Sequence, residues 1–183
     1  MAKNKMTSAT LEDVRIMFRN FSGKEGQFNR EGDRNFSVAL DPDTAVEMHR
    51  DGWNIKQLKA REEGDIPQDY LQVKVNFGGR PPKVVMITSR GRTSLGEGEV
   101  DILDWVDIEK VDMIINPYEW EVSGKSGIKA YLQSIFITIR EDELDLKYAD
   151  VPEIQSGQKA LTSGAYEDLG EIEEQRALES NPF

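Results

Sequence analysis

Asp69-Tyr70-Leu71-Gln72-Val73-Lys74-Val75-Asn76-Phe77 alternates without a break. Leu71, Val73, Val75 and Phe77 face one way, and Tyr70, Gln72, Lys74 and Asn76 the other. Period two predicts a strand with one face buried and one face wet. Working outward, Val14 to Phe21 alternates in the same manner. Arg34 to Leu40, Trp53 to Ala60 and Lys83 to Arg90 read as further strands. Val111 to Val122 and Ile128 to Arg140 read as two strands of a hairpin joined by Ser123-Gly124-Lys125-Ser126-Gly127. Asp41-Pro42-Asp43 opens a short helix that Gly52 closes, with Asp as cap and Pro in the first turn. Ser94 and Glu97 fit a capping box for a short acidic helix running to about Trp105. About seven strands, two short helices and no strand–helix–strand alternation give a mainly β fold. A small antiparallel barrel suits that order better than a doubly wound sheet.

Residues 1–10 read as a flexible polar arm, 11–150 as one domain and 151–183 as a tail. The chain has 183 residues, no cysteine and one histidine, His49. Disulfides and thiol chemistry are excluded, and zinc lacks its usual ligands. No apolar run approaches a membrane span and the N-terminus is not a signal peptide, so a soluble cytosolic protein is expected. The tail carries seven acidic residues against Lys159 and Arg176 and ends Asn181-Pro182-Phe183. With few large apolar residues it is expected to be disordered. An acidic tail with a terminal ring suits two tasks. It can compete with a polyanion for a basic groove, and it can dock Pro182 and Phe183 into a basic pocket on a partner.

The formal charge of −11 argues against nucleic acid at first sight. Its distribution matters more. Residues 94–122 hold nine acidic groups against Lys110 alone, whereas 53–93 hold eight basic and four acidic groups. A basic groove beside an acidic face is compatible with that segregation.

Enzyme signatures are weak. Gly124-Lys125-Ser126 resembles the end of a phosphate-binding loop, but Glu119 stands where its leading glycine belongs and a strand follows. Asp41, Asp43 and Glu47 lack the spacing of a calcium loop. The run Glu141-Asp142-Glu143-Leu144-Asp145 reads as a solvated charge cluster. No catalytic residue, metal or cofactor is implied.

A binding pattern is better supported. Single strands are held by cations on phosphates and by rings stacked on bases. Phe28 and Arg30 precede Arg34 around a Gly-rich loop, Trp53 precedes Lys56, and Tyr70 shares a strand face with Lys74. Arg90-Gly91-Arg92 ends a strand, and Lys129 shares a face with Tyr131. Arg30, Arg34, Lys56, Lys74, Arg90, Arg92 and Lys129 are therefore candidate phosphate contacts. Phe28, Trp53, Tyr70 and Tyr131 are candidate stacking platforms. A simple hairpin over 123–127 pairs Glu121 with Lys129 and Tyr118 with Leu132, which sends Tyr118 and Trp120 to the core unless a bulge at Pro117 reverses the facing. Phe18, Phe77, Phe136 and Trp105 are also assigned to packing. Phe36 shares its face with Val38 and Leu40, which leaves its role open.

The order of Phe28-Asn29-Arg30-Glu31-Gly32-Asp33-Arg34-Asn35-Phe36, Asp51-Gly52-Trp53-Asn54-Ile55-Lys56, Tyr70-Leu71-Gln72-Val73 and Ile128-Lys129-Ala130-Tyr131-Leu132-Gln133 resembles the single-stranded-DNA-binding proteins of tailed bacteriophages. The likeness covers roughly residues 10–150. It implies an oligonucleotide/oligosaccharide-binding (OB) barrel that coats single-stranded DNA in phage replication and recombination, in the cytoplasm of the infected host. The tail resembles the acidic, Phe-terminated tips of bacterial and phage single-strand binders, which implies recruitment of replication and recombination proteins. The usual tip is Asp-rich and ends Ile-Pro-Phe. Here Asn181 replaces the isoleucine and Glu predominates. The rival readings are a phage structural or assembly protein with no affinity for nucleic acid, and a metal-dependent nuclease using Glu119, Glu121 or the 141–145 acids, whose spacing shows no convergence on a cation. Homo-oligomerisation is left open.

Overall fold

The computed structural model describes residues 6–152. The arm before Met6, Pro182, Phe183 and nearly all of the tail lie outside the described residues. Strand β5 (Gln68–Val75), the core of the alternating stretch, is central. One edge pairs antiparallel with β3 (Arg34–Leu40). The other takes β4 (Ile55–Leu58) and then, in parallel, β9 (Lys125–Ile139). β9 pairs antiparallel with β8 (Ile108–Val122), β8 with β1 (Ala9–Leu11), and β3 with β2 (Arg15–Asn20). β6 (Lys83–Thr88) runs parallel to the far end of β9 and carries β7 (Gly91–Leu95).

The main path β1-β8-β9-β5-β3-β2 does not close by hydrogen bonds. Its two ends, β1 and β2, are consecutive in the chain, so a bend at 12–14 joins them. Asp13 has φ 50° there and donates its N–H to Asp112 Oδ1 at 2.8 Å, and Val14 N–H reaches Val111 O at 3.0 Å. This partly open, bent arrangement is OB-like. Two of its pairs, both to β9, are parallel.

Alternation sends Phe36, Val38, Leu71, Val73, Val111, Met113, Ile135 and Ile137 into the interior. Helix α1 (Pro42–Arg50) is capped by Asp41, whose carboxylate accepts Thr44 N–H at 2.9 Å and Thr44 Oγ1 at 2.6 Å. Gly52, at φ 101°, ends it in a Schellman turn: Gly52 N–H bonds to His49 O and Trp53 N–H to Met48 O. That turn folds Trp53 back beside the buried Met48. Trp53 is 4% exposed and presents no free face, so it belongs to the core and not to a stacking platform.

Two bulges redirect rings assigned to packing. Between Met17 and Asn20 the β2–β3 register shifts, Phe18 takes φ 51°, and its ring is 63% exposed. A bulky residue in that region is strained by about 1–3 kcal/mol. Phe21 takes the core position instead, stacked on the buried Phe36 at 5.2 Å. In β9, Gln133 is the extra residue, since Leu132 pairs with Ile115 and Ser134 with Ile114. Leu132 and Ile135 therefore both point inward, and half-buried Phe136 turns to the other face under Lys83. Phe77 is half-buried at the core margin.

The second helix expected near 94–105 is a 3-10 turn, Val100–Asp104. No capping box forms: Ser94 lies in β7 opposite Val85, and Glu97 reaches Arg34. Trp105 follows that turn and is 75% exposed, not packed.

Chain contacts divide after Asp142. In the second unit, helix α2 (Glu143–Lys147) occupies what read as a solvated charge run, and Tyr148 N–H bonds to Leu144 O.

Candidate nucleic-acid interface

The segment 21–33 leaves β2 and returns to β3 as a miniature hairpin. Gly32 N–H bonds to Gly23 O at 2.8 Å, and Gly26 and Asn29 bridge near the tip. A Cβ on Gly23, at φ 68°, would meet Gly32 backbone at 3.2 Å, so the pinch requires glycine. Asn35 Nδ2 donates to Asn29 Oδ1 at 2.8 Å and ties the hairpin to β3. The tip displays Phe28, 90% exposed.

Below it lies the polar face of the sheet. Cross-strand partners share a face, so Asn35, Lys74 and Tyr131 lie side by side on β3, β5 and β9. Ala39, Tyr70 and Lys56 form a second row, and Asn116 on β8 adjoins Tyr131. Phe28, Arg34, Lys74 and Tyr131 line one trough of about 380 Å³. Beyond Tyr131 and Asn76 it runs into a second cleft of about 470 Å³, where Tyr118 and Arg80 lie.

A five-residue turn sends Tyr118 to the core, and the structure reverses this. The hairpin turns on two residues, Ser123 and Gly124, with φ 50° and 77°, and not on five. Both values suit a tight primed turn matched to strand twist. Val122 then pairs with Lys125, Trp120 with Gly127 and Tyr118 with Lys129. The expected register is off by an odd number of residues, which exchanges the faces. Tyr118 is 56% exposed and meets Tyr131 edge to face at 5.6 Å. Trp120 is half-exposed beneath Lys129, whose Nζ is 5.8 Å from the ring centroid.

The cations separate into groups. Among the described residues no ion pair engages Lys56, Lys74, Arg80 or Lys129. Arg34 lines the trough but pairs with Glu97 at 3.0 Å and lies over Phe77 at 5.5 Å. Arg30 is exposed on the loop next to Phe28. Arg90 and Arg92 belong to the β6–β7 hairpin, which pairs with β9 from Ser134 to Thr138. That is up to roughly 20 Å along the strand from Tyr131, so the trough does not gather them. Sequence reading missed Tyr118, Arg80, Asn35, Asn76 and Gln72. The three amides line the trough, and for Gln72 and Asn76 the alternation with Leu71, Val73 and Val75 was the available signal.

Part of the acidic stretch 94–122 is used internally. Asp104 accepts the N–H groups of Phe21 and Ser22 at 2.7 and 3.0 Å, Glu97 holds Arg34, and Asp112 holds the bend. Among the described residues no group of three or more His, Cys, Asp or Glu is placed to hold a metal, and no helix is long and apolar enough to cross a membrane.

A family model for a phage single-stranded-DNA-binding domain matches residues 1–178. The chain belongs to that family. No curated protein matches it in sequence. Among solved structures, it is similar to the single-stranded DNA-binding protein from bacteriophage Enc34 in complex with ssDNA, with 13% identity and TM-score 0.51 over 74% of this chain and 88% of that one. The same phage's protein in a further structure gives 15% identity and TM-score 0.48 over 87% and 89%. Protein gp2.5, a single-stranded DNA binding protein encoded by bacteriophage T7, gives 14% identity and TM-score 0.37 over 84% and 99%. The first likeness supports a shared fold. The family assignment agrees with a trough built from rings and cations on the wet face of an OB-like sheet.

Proposed function

We propose that this family member binds single-stranded DNA without sequence preference along the trough, as a non-enzymatic coating protein in phage replication and recombination in the host cytoplasm. The observation that carries this reading is the convergence of Phe28, Lys74 and Tyr131, from three separate parts of the chain, on one cleft. Rings stack on bases whatever their identity, and the lysines neutralise phosphates. Lys56, Lys74, Arg80 and Lys129 are the phosphate contacts of this reading, with Arg30 at the rim. Phe28, Tyr70, Tyr131 and Tyr118 are its stacking surfaces. Four neutralised phosphates on a single strand give a slope of log K against log salt of about −3.

The acidic tail, in the same proposal, competes with DNA for this trough and offers Pro182 and Phe183 to replication and recombination partners. Deleting 167–183 then raises affinity at low salt. The decisive test is a gel shift with single- and double-stranded probes of equal length. Preference for the single strand with a steep salt dependence is expected. No retardation of either probe favours the structural-protein reading.

A further inference from the structure

We infer that the DNA track continues past Phe28 onto a second ring pair, Phe18 and Trp105, which with Lys24 holds a further stretch of the same strand. This rests on the reading of the trough as a single-strand interface. Both rings are solvent-exposed and neither is used by the core. Phe18 is held outward by a strained φ of 51° in the β2 bulge, which seats Phe21 in the core in its place. Trp105 stands on a braced frame: Arg19 Nη1 donates to Leu103 O at 2.9 Å and Val106 O at 2.8 Å. Lys24 Nζ lies 5.0 Å from the Trp105 ring centroid. The rings line a cleft of about 410 Å³, and Asn29 lines both this cleft and the trough, so the two adjoin there. The one carboxylate in its lining, Asp104, is occupied by the amides of Phe21 and Ser22. Those bonds leave Asp104 charged, and Arg19 and Lys24 together outweigh it, so the lining is net positive. Rings flanked by cations and by Asn20, Ser22 and Asn29 fit a base and its phosphate better than the continuous apolar side of a protein partner.

The test is calorimetric titration of the full chain with two oligo-dT lengths, one filling the trough only and one long enough to pass Asn29. Phe18→Gly combined with Trp105→Ala should weaken the long oligonucleotide about tenfold and leave the short one unchanged. Trp105→Phe should retain most of the affinity, because it keeps a ring. Glycine accepts φ 51° freely, so Phe18→Gly alone should melt no lower than wild type while still weakening the long oligonucleotide. Tyr131→Ala, in the trough, should weaken both lengths. An equal loss on both lengths, or none on either, as expected if the patch serves a protein, overturns the extension alone. If wild type binds neither length, the trough reading falls and the extension with it.

Discussion

Tyr131 and Tyr118 meet edge to face at the junction of two clefts. Alanine at either position should weaken binding to oligo-dT by about 1–3 kcal/mol. The double variant should lose less than the sum, because each ring orients the other. A calorimetric double-mutant cycle checks this, and strict additivity would argue that the rings act apart. Tyr131 was legible in the sequence because it alternates with Ala130 and Leu132. Tyr118 was not, since its facing depends on whether the turn has two residues or five. Trp53 beside Lys56 had the composition of a platform. Its burial follows from the Schellman turn at Gly52, and a glycine after a helix does not reveal where the next ring goes. Phe18 and Phe136 misled for one shared reason: a bulge changes the phase of an alternating strand and leaves no mark in the pattern.

At the scale of elements, the β8–β9 hairpin depends on a glycine. A Cβ at Gly127 would lie 2.9 Å from three atoms of the Trp120 ring on the opposite strand. Gly127→Ala should therefore destabilise the domain by about 1–3 kcal/mol, read by denaturant unfolding. A neutral result would show that Trp120 swings away freely. Helix α1 supplies a pH test. The hydrogen bonds from the Thr44 hydroxyl and N–H hold the Asp41 carboxyl below the ordinary aspartate range. A lowered folded pKa gives stability that is present above the unfolded value and lost as pH falls through the folded one. Asp41→Ala should lower Tm at neutral pH, and the gap to wild type should close on acidification below the ordinary aspartate range. The cap, Pro42 and Gly52 were all readable beforehand because helix ends are local chemistry. The 94–105 segment shows the reverse. Ser94 and Glu97 have capping-box spacing, yet β6 claims Ser94 as a strand partner and Arg34 claims Glu97. Tertiary pairing outweighs a local motif worth about 1 kcal/mol.

For the molecule as a whole, the chain bend at 12–14 joins the two ends of the open sheet path. Asp112 accepts the Asp13 N–H there, and Lys110 Nζ lies 3.4 Å from its other oxygen. Asp112→Ala should cost about 1 kcal/mol, the scale of one such hydrogen bond. It should also speed amide hydrogen exchange at Val14 ahead of residues in β5, and uniform protection would mean the bend is held by other contacts. The strand inventory came through alternation, but the parallel pairings to β9 and the short β1 and β7 did not, because pairing partners are set by long-range closure. The three tryptophans occupy three distinct settings: Trp53 is buried at 4% exposure, Trp120 is half-covered beneath Lys129, and Trp105 is 75% exposed. The chain thus carries its own optical gauge. Iodide should quench the red-shifted emission of Trp105 first and spare the blue emission of Trp53, so the colour of the light that a DNA titration removes reports which part of the surface the strand has reached.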